Sequence, residues 1–424
     1  MHLSTTKVWN RGMGRVRKLR TGIAFIALLV TAVMPSTAEA ATGATAATGA
    51  ATAVRASLRS ELNHYLNAYR VAEHISAVSL AVTFRGRRPA INLAVGSTRY
   101  GGGPAISPYA LWQIGSNTKA FTSVLVLQLE AEHKLSINDT LGQWLPQYPR
   151  WGSVTIKRLL NMTSGIPSYT DSPEFWHDVA AAPNGVFSAS RLVSYALGLP
   201  PTHGYSYSNT NYILAQMIIE RATHDSYGSQ LCKRIVIPLS LRNMFYSGTD
   251  YRRAITARMP AGYWFIPVLP EMTSQLRHDQ SDHTLSWARG AGGIVSSLQD
   301  MAKWDRALYT DRELPGKEQR ELMSLVSTTT GKPITTTDAG RSRWVWSRHQ
   351  PGDVQGVGDR VVLRGRNDWF PGCEHLRTTV RHRDRDRREQ CHAQRPHSRA
   401  CHIRLPDTAQ GGAQLTGWVP KMPF

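Results

Sequence analysis

The chain has 424 residues, room for two or three domains at roughly 150 residues each, and its 41% hydrophobic content excludes a wholly disordered chain. Four cysteines exclude a scaffold built on disulfides. The formal charge of +20 first suggests a nucleic-acid binder, but it is spread as +5 in residues 1–40, +7 in 41–340 and +8 in 341–424, so the long middle is only mildly basic.

The amino end reads as an export address. Lys7, Arg11, Arg15, Arg17, Lys18 and Arg20 precede the apolar run Gly22–Met34, and Ala38-Glu39-Ala40 offers a small-x-small cleavage site. That run is short for a membrane span, although an uncleaved anchor is the alternative reading. Residues 1–40 are therefore expected to be a secretory signal, and residues 41–54, low-complexity Ala/Thr/Gly, a flexible leader. The mature protein is expected outside the cytoplasm, with no stable membrane insertion.

Residues 56–72 have helical spacing through Leu58, Leu62, Tyr65, Leu66 and Tyr69. Ala77–Phe84 and Pro89–Val95 read as two strands joined by the basic turn Arg85–Arg88. From Ser116 to Leu135 runs a segment apolar on nearly every side, the mark of a helix buried inside a domain. Helices are expected over 154–165 and 210–223, a strand over Ala291–Ser296, and a helix over Leu298–Leu308. This order predicts an α/β (α+β) fold: a sheet flanked by helices and interrupted by a mostly helical insertion.

Ser116-Asn-Thr-Lys119 opens the buried helix. A serine in a first helical turn sits where free N–H groups and the positive dipole end favour a developing oxyanion. Lys119, one turn on, lies on the same face. Buried, that amine can lose its proton or, if charged, lower the pKa of a neighbouring phenol. The spacing alone is weak, since Ser4-Thr-Thr-Lys7 repeats it within the signal. Tyr207-Ser-Asn209 is the second element. A tyrosine near a lysine can take the serine proton and return it to a leaving group, and Asn209 can both donate to and accept from a substrate amide. The bland alternative makes Tyr205 and Tyr207 loop aromatics and Asn209 a helix N-cap.

Trp112–Thr122 resembles the serine segment of the penicillin-recognising serine hydrolases, specifically the class C beta-lactamase and D-alanyl-D-alanine carboxypeptidase branch. Val154–Pro167 is similar to that branch's "LLTHTSG" segment, and Tyr205–Leu214 to its tyrosine motif. Ile237-Pro-Leu239 and Ala291–Val295 resemble further landmarks, so the likeness spans about residues 55–345. It implies a beta-lactamase/transpeptidase-like fold with an antiparallel sheet. It also implies Ser116 as acylated nucleophile, Lys119 as its activator, Tyr207 as proton shuttle and Asn209 as substrate contact. No metal or organic cofactor is required.

The branch also carries a Lys/His-x-Gly or similar triad on a late strand. None follows Ser296, and the nearest string, Thr329-Thr-Gly331, stands in a polar loop. Near Arg341 the chain changes character: the last 84 residues hold 15 arginines but one lysine, and three of the four cysteines. Residues 346–424 read as a basic tail translated out of frame, leaving the C-terminal strands missing. Codons allowed for Arg364–Pro371, shifted by one nucleotide, spell E-G-E-T-I-G-F-R, and Val361–Arg364 likewise gives W-Y-Y-E, together matching that branch's version of the triad. The rival reading is a metal-binding tail through Cys391, His392, His397, Cys401 and His402, but adjacent Cys-His pairs are poor zinc spacing. The Arg381–Arg388 run lacks aromatics for base stacking, so no nucleic-acid partner is expected.

The expected activity is serine acyl transfer, in which Tyr207, tuned by Lys119, deprotonates Ser116 for attack on an amide, lactam or ester carbonyl of a small-molecule or peptidoglycan-derived substrate, with oligomeric state open. The opposing reading is a catalytically impaired relative, in which a tail real as written leaves Ala77–Val95 with an unpaired sheet edge.

Overall fold

The structure, a computed structural model, describes residues 37–84, 90–265, 270–281, 283–310, 313–335, 344–346, 378–379, 401–402 and 413–418. The basic and apolar parts of the signal, and the segment carrying the frame argument, lie outside these residues. The chain divides into two units, Met1–Gly49 and Ala50–Phe424. In the first, the described residues are helical, belonging to the helix Thr37–Tyr69. Residues 41–54, expected as a flexible leader, are thus helical instead. Alanine, the strongest helix former, recurs throughout them and no proline interrupts. Among the described residues no helix is long and apolar enough to cross a membrane.

In the second unit the first strands are β1 (Ala77–Phe84), β2 (Ile91–Arg99), β3 (Gly102–Ala105) and β4 (Leu111–Gln113). Then come β5 (Met244–Tyr246), β6 (Ile294–Ser297), β7 (Leu325–Ser327), β8 (Pro333–Ile334) and β9 (Trp344–Trp346). Short pieces β10 (Thr378–Thr379) and β11 (Cys401–His402) precede β12 (Ala413–Trp418). One sheet has the order β12-β1-β2-β3. Its β1–β2 pairing is antiparallel, from Ala77↔Gly96 to Val82↔Ile91. The inward residues of both strands close over Leu58, Leu62, Tyr65 and Leu66, whose helical spacing supplies the matching apolar stripe.

The outer edge of β1 is occupied. Strand β12 runs antiparallel to it from Ser79↔Trp418 to Phe84↔Ala413. The expectation that a tail as written leaves this edge bare is corrected: the backbone groups of β1 find partners in the tail itself.

A second sheet, β4-β6-β5, is also antiparallel. Between β4 and β5 lies the helical insertion, with Ile156–Leu160, Pro173–Ala181, Ala189–Leu197 and Asn209–Thr223 among its helices. The helix Thr118–Ala131 is buried along nearly its whole length, and Phe121 stacks on Trp304 of the helix Leu298–Leu308 with centroids 3.9 Å apart. The α/β fold with antiparallel sheets is as expected.

Two of the boundaries that differ lie beside Ser116 and Lys119 or the loop that packs on them. The helix expected over 154–165 stops at Leu160, because Met162 takes φ +61. Ala291 and Gly292, expected in a strand, instead belong to a helical turn Arg289–Gly292 that Gly293 ends, and the strand begins at Ile294. Gly293 allows this close turn, since a Cβ there would stand 2.9 Å from the Arg289 carbonyl.

Candidate active site

Ser116 sits in a single turn, Gly115–Asn117, between β4 and the helix Thr118–Ala131. Gly115 turns the chain with φ +51. The Ile114 N–H, donating to Ile294 O at 3.0 Å, ties this turn to β6. The serine is 4% exposed, and Lys119, one turn later, is 0% exposed.

The amine of Lys119 meets three oxygens. Its Nζ lies 3.0 Å from Ser116 Oγ, 2.8 Å from Asn209 Oδ1 and 2.7 Å from the Ala291 carbonyl. It also stands over the ring of Tyr207, 4.8 Å from the centroid. Burial strips the ammonium of water and lowers its pKa well below the ordinary lysine value. The Tyr207 hydroxyl lies 2.7 Å from Ser116 Oγ on the other side.

The tyrosine loop is clamped by the segment after Leu160. Ser206 N–H donates to Met162 O at 2.9 Å, and Ser208 Oγ to Pro167 O at 3.2 Å. Asn209 N–H donates to Ser168 Oγ at 3.1 Å, and Thr210 Oγ1 to Pro167 O at 2.7 Å. The Met162 and Pro167 carbonyls and the Ser168 hydroxyl therefore hold the loop that carries Tyr207. The N-cap of the helix Asn209–Thr223 is Ser208. Asn209 is 1% exposed and points both its amide atoms inward, Oδ1 to Lys119 and Nδ2 to Thr170 Oγ1 at 3.3 Å.

All four residues picked from the sequence thus converge on one oxygen and its lysine. Ala291 and Thr170 were missed. Ala291 contributes only its carbonyl, which no side-chain pattern announces, and Thr170 would have been found only by pairing Asn209 with the segment after Pro167. The Thr329-Thr-Gly331 string falls in the turn between β7 and β8, where Gly331 closes on Gly204 and Tyr205. Among the described residues no group of three His, Cys, Asp or Glu could hold a metal ion. Cys391, His392 and His397 lie outside them.

A sequence profile described as Beta-lactamase matches residues 50–372. The chain is 28% identical over 240 residues to penicillin-binding protein 4* of Bacillus subtilis, a match covering 53% of this chain and 51% of that protein. It therefore spans about half the length of that relative. Among solved structures it is similar to a D-stereospecific amidohydrolase from Streptomyces sp., with TM-score 0.56, 28% identity, and 64% and 78% of the two chains covered. It is also similar to the D-amino acid amidase of Ochrobactrum anthropi SV3, with TM-score 0.54, 26% identity, and 64% and 74% covered. Fold, profile and relatives agree, and the chain belongs to the beta-lactamase family, whose fold is that of the serine beta-lactamases and transpeptidase-like hydrolases.

Proposed function

We propose that this chain is an exported serine hydrolase that forms an acyl-enzyme at Ser116 on amide or peptide carbonyls. The observation that carries the reading is the pair of contacts at one oxygen: Lys119 Nζ at 3.0 Å and Tyr207 OH at 2.7 Å. A neutral lysine has two N–H donors and one lone pair. As an ammonium Lys119 donates to all three oxygens; once neutral it keeps Asn209 Oδ1 and Ala291 O as acceptors and turns its lone pair to Ser116 Oγ. Lys119 takes the serine proton as Oγ bonds to the substrate carbonyl carbon and the carbonyl electron pair moves onto oxygen. Collapse expels the amine, which leaves with a proton delivered by Tyr207, and the proton held on Lys119 restores the phenol. Water then attacks the ester, gives a proton back to Ser116 through the same groups, and releases the acid.

The named specificities of the Streptomyces and Ochrobactrum enzymes support a D-configured amide or D-terminal peptide as the substrate class, and the Bacillus relative's name supports trapping by penicillin. The basic, apolar and small-residue order of residues 1–40 supports export. The test is labelling of the full chain by a fluorescent penicillin together with hydrolysis of D-amino acid amides. Ser116→Ala abolishes both, whereas folded wild-type protein that neither labels nor hydrolyses overturns the reading.

A second reading, acylation with slow turnover, is favoured by the place of Thr329-Thr-Gly331 in a turn rather than a strand. No such triad stands on a strand among the described residues, and an oxyanion site short of one donor loses about a hundredfold in rate. Stable label with negligible turnover would distinguish it.

A further inference from the structure

Behind Lys119 lies a second row of buried polar groups that the chemistry above does not use. The Ala291 carbonyl belongs to the turn Arg289–Gly292, and the glycine before it is gripped on both sides. Gly290 N–H donates to Gln216 Oε1 at 2.8 Å, and Gly290 O accepts from Thr122 Oγ1 at 2.7 Å. Thr122 Oγ1 lies 2.7 Å from the Tyr227 hydroxyl. Gly290 O can only accept and takes the single Thr122 proton, so the Tyr227 hydroxyl, which burial keeps protonated, donates to Thr122 Oγ1. Gln216 is oriented in turn by Glu220, whose Oε1 accepts from its Nε2 at 2.9 Å. Thr122, Gln216 and Tyr227 are each no more than 1% exposed.

Local preference does not hold this turn. Arg289 sits at φ +38, a conformation that persists only when tertiary contacts impose it. Gly290 is also tightly packed, since a Cβ there would stand 3.1 Å from Gln216 Oε1 and 3.3 Å from Tyr212 O.

We infer that Thr122 and Gln216 are positioning residues for Lys119: by fixing both peptides of Gly290 they hold the Ala291 carbonyl where it takes one amine hydrogen. The remaining lone pair of the amine is thereby aimed at Ser116 Oγ. This rests on the acyl-transfer reading. The ionisable groups facing Lys119 are the phenols of Tyr207 and Tyr212, with ring centroids at 4.8 and 5.6 Å. Beyond Thr122 and Gln216 stand Tyr227, Glu220 and Tyr246, the last with its hydroxyl 3.3 Å from Gln216 Oε1, and Arg289 follows on the turn itself.

The experiment measures the acylation rate by a fluorescent penicillin against pH, with melting curves, for the full chain and for Thr122→Val, Thr122→Ser and Gln216→Met. Thr122→Val and Gln216→Met should acylate about tenfold to a hundredfold more slowly, the cost of a small misplacement. Their acid limb should move to lower pH, because an ammonium that loses an acceptor gives up its proton more readily. Thr122→Ser, which keeps the hydroxyl, should restore both rate and limb. If either apolar variant fails to fold, the other decides. Folded variants with the wild-type rate and limb, or slowed with the limb unmoved and no rescue by serine, overturn the inference. Ser116-dependent labelling with indifferent variants overturns it alone, whereas a wild type that never labels overturns the acyl-transfer reading with it.

Discussion

Asn209 and Lys119, 90 residues apart in sequence, face each other with Oδ1 2.8 Å from Nζ. A residue that resemblance assigns to the substrate thus already spends its acceptor on the lysine, and only its Nδ2, held loosely by Thr170 at 3.3 Å, is free to change partners. Asn209→Asp would put a carboxylate at that distance and favour the ammonium. The acid limb of kcat/KM should move to higher pH and activity at neutral pH should fall about tenfold or more, read from a pH profile.

Lys119 also makes stability depend on pH. Its folded pKa lies well below the ordinary value near 10.5, and burial is the cause. Between the two values the unfolded chain binds more protons than the folded one, so stability rises with pH across that window. Lys119→Met should remove this slope and raise stability at neutral pH by about 0.5–2 kcal/mol, the gain usual when a functional site's strain is relieved. Denaturant midpoints at several pH values check both expectations.

Gly331 takes φ +69, and a Cβ on it would lie 2.9 Å from the Gly204 carbonyl carbon and 3.0 Å from the Tyr205 nitrogen. Gly331→Ala should cost about 1–3 kcal/mol. Because Tyr205 leads directly into Tyr207, acylation should fall further than the fraction unfolded explains, which parallel melting and labelling curves would show.

These relationships were legible to different degrees. The helix Thr118–Ala131 was visible because it is apolar all round. Ser116, Lys119, Tyr207 and Asn209 were visible because the segments that carry them resemble the motifs of a known family, the Ser116–Lys119 spacing alone being repeated at Ser4–Lys7. The turn at Arg289–Gly292 was not: its φ values are set by Gln216 and Thr122 from elsewhere in the chain, and a glycine pair reads equally well as strand or bend. The pairing of β1 with β12 was hidden too, because the partners are separated by most of the chain and the tail's composition suggests no core.

That pairing gives a further expectation for the chain as written. Ending it at Gly412 removes β12 and exposes the outer edge of β1. The shortened protein should associate or aggregate where the full chain does not, as light scattering after size exclusion would reveal.

The out-of-frame reading of residues 346–424 makes a separate expectation. The nucleotide sequence over codons 335–395 should open, in the adjacent frame, an apolar continuation containing E-G-E-T. Stop codons in that frame would leave the tail as it stands.

The three oxygens that receive the Lys119 amine come from positions 3, 90 and 172 residues away. They come together only when the segments around Ser116, Asn209 and Ala291 have packed against one another. A covalent titrant of Ser116 would therefore serve as a conformational census, marking only molecules whose helical insertion and late sheet have both docked. During refolding it would report completion rather than collapse.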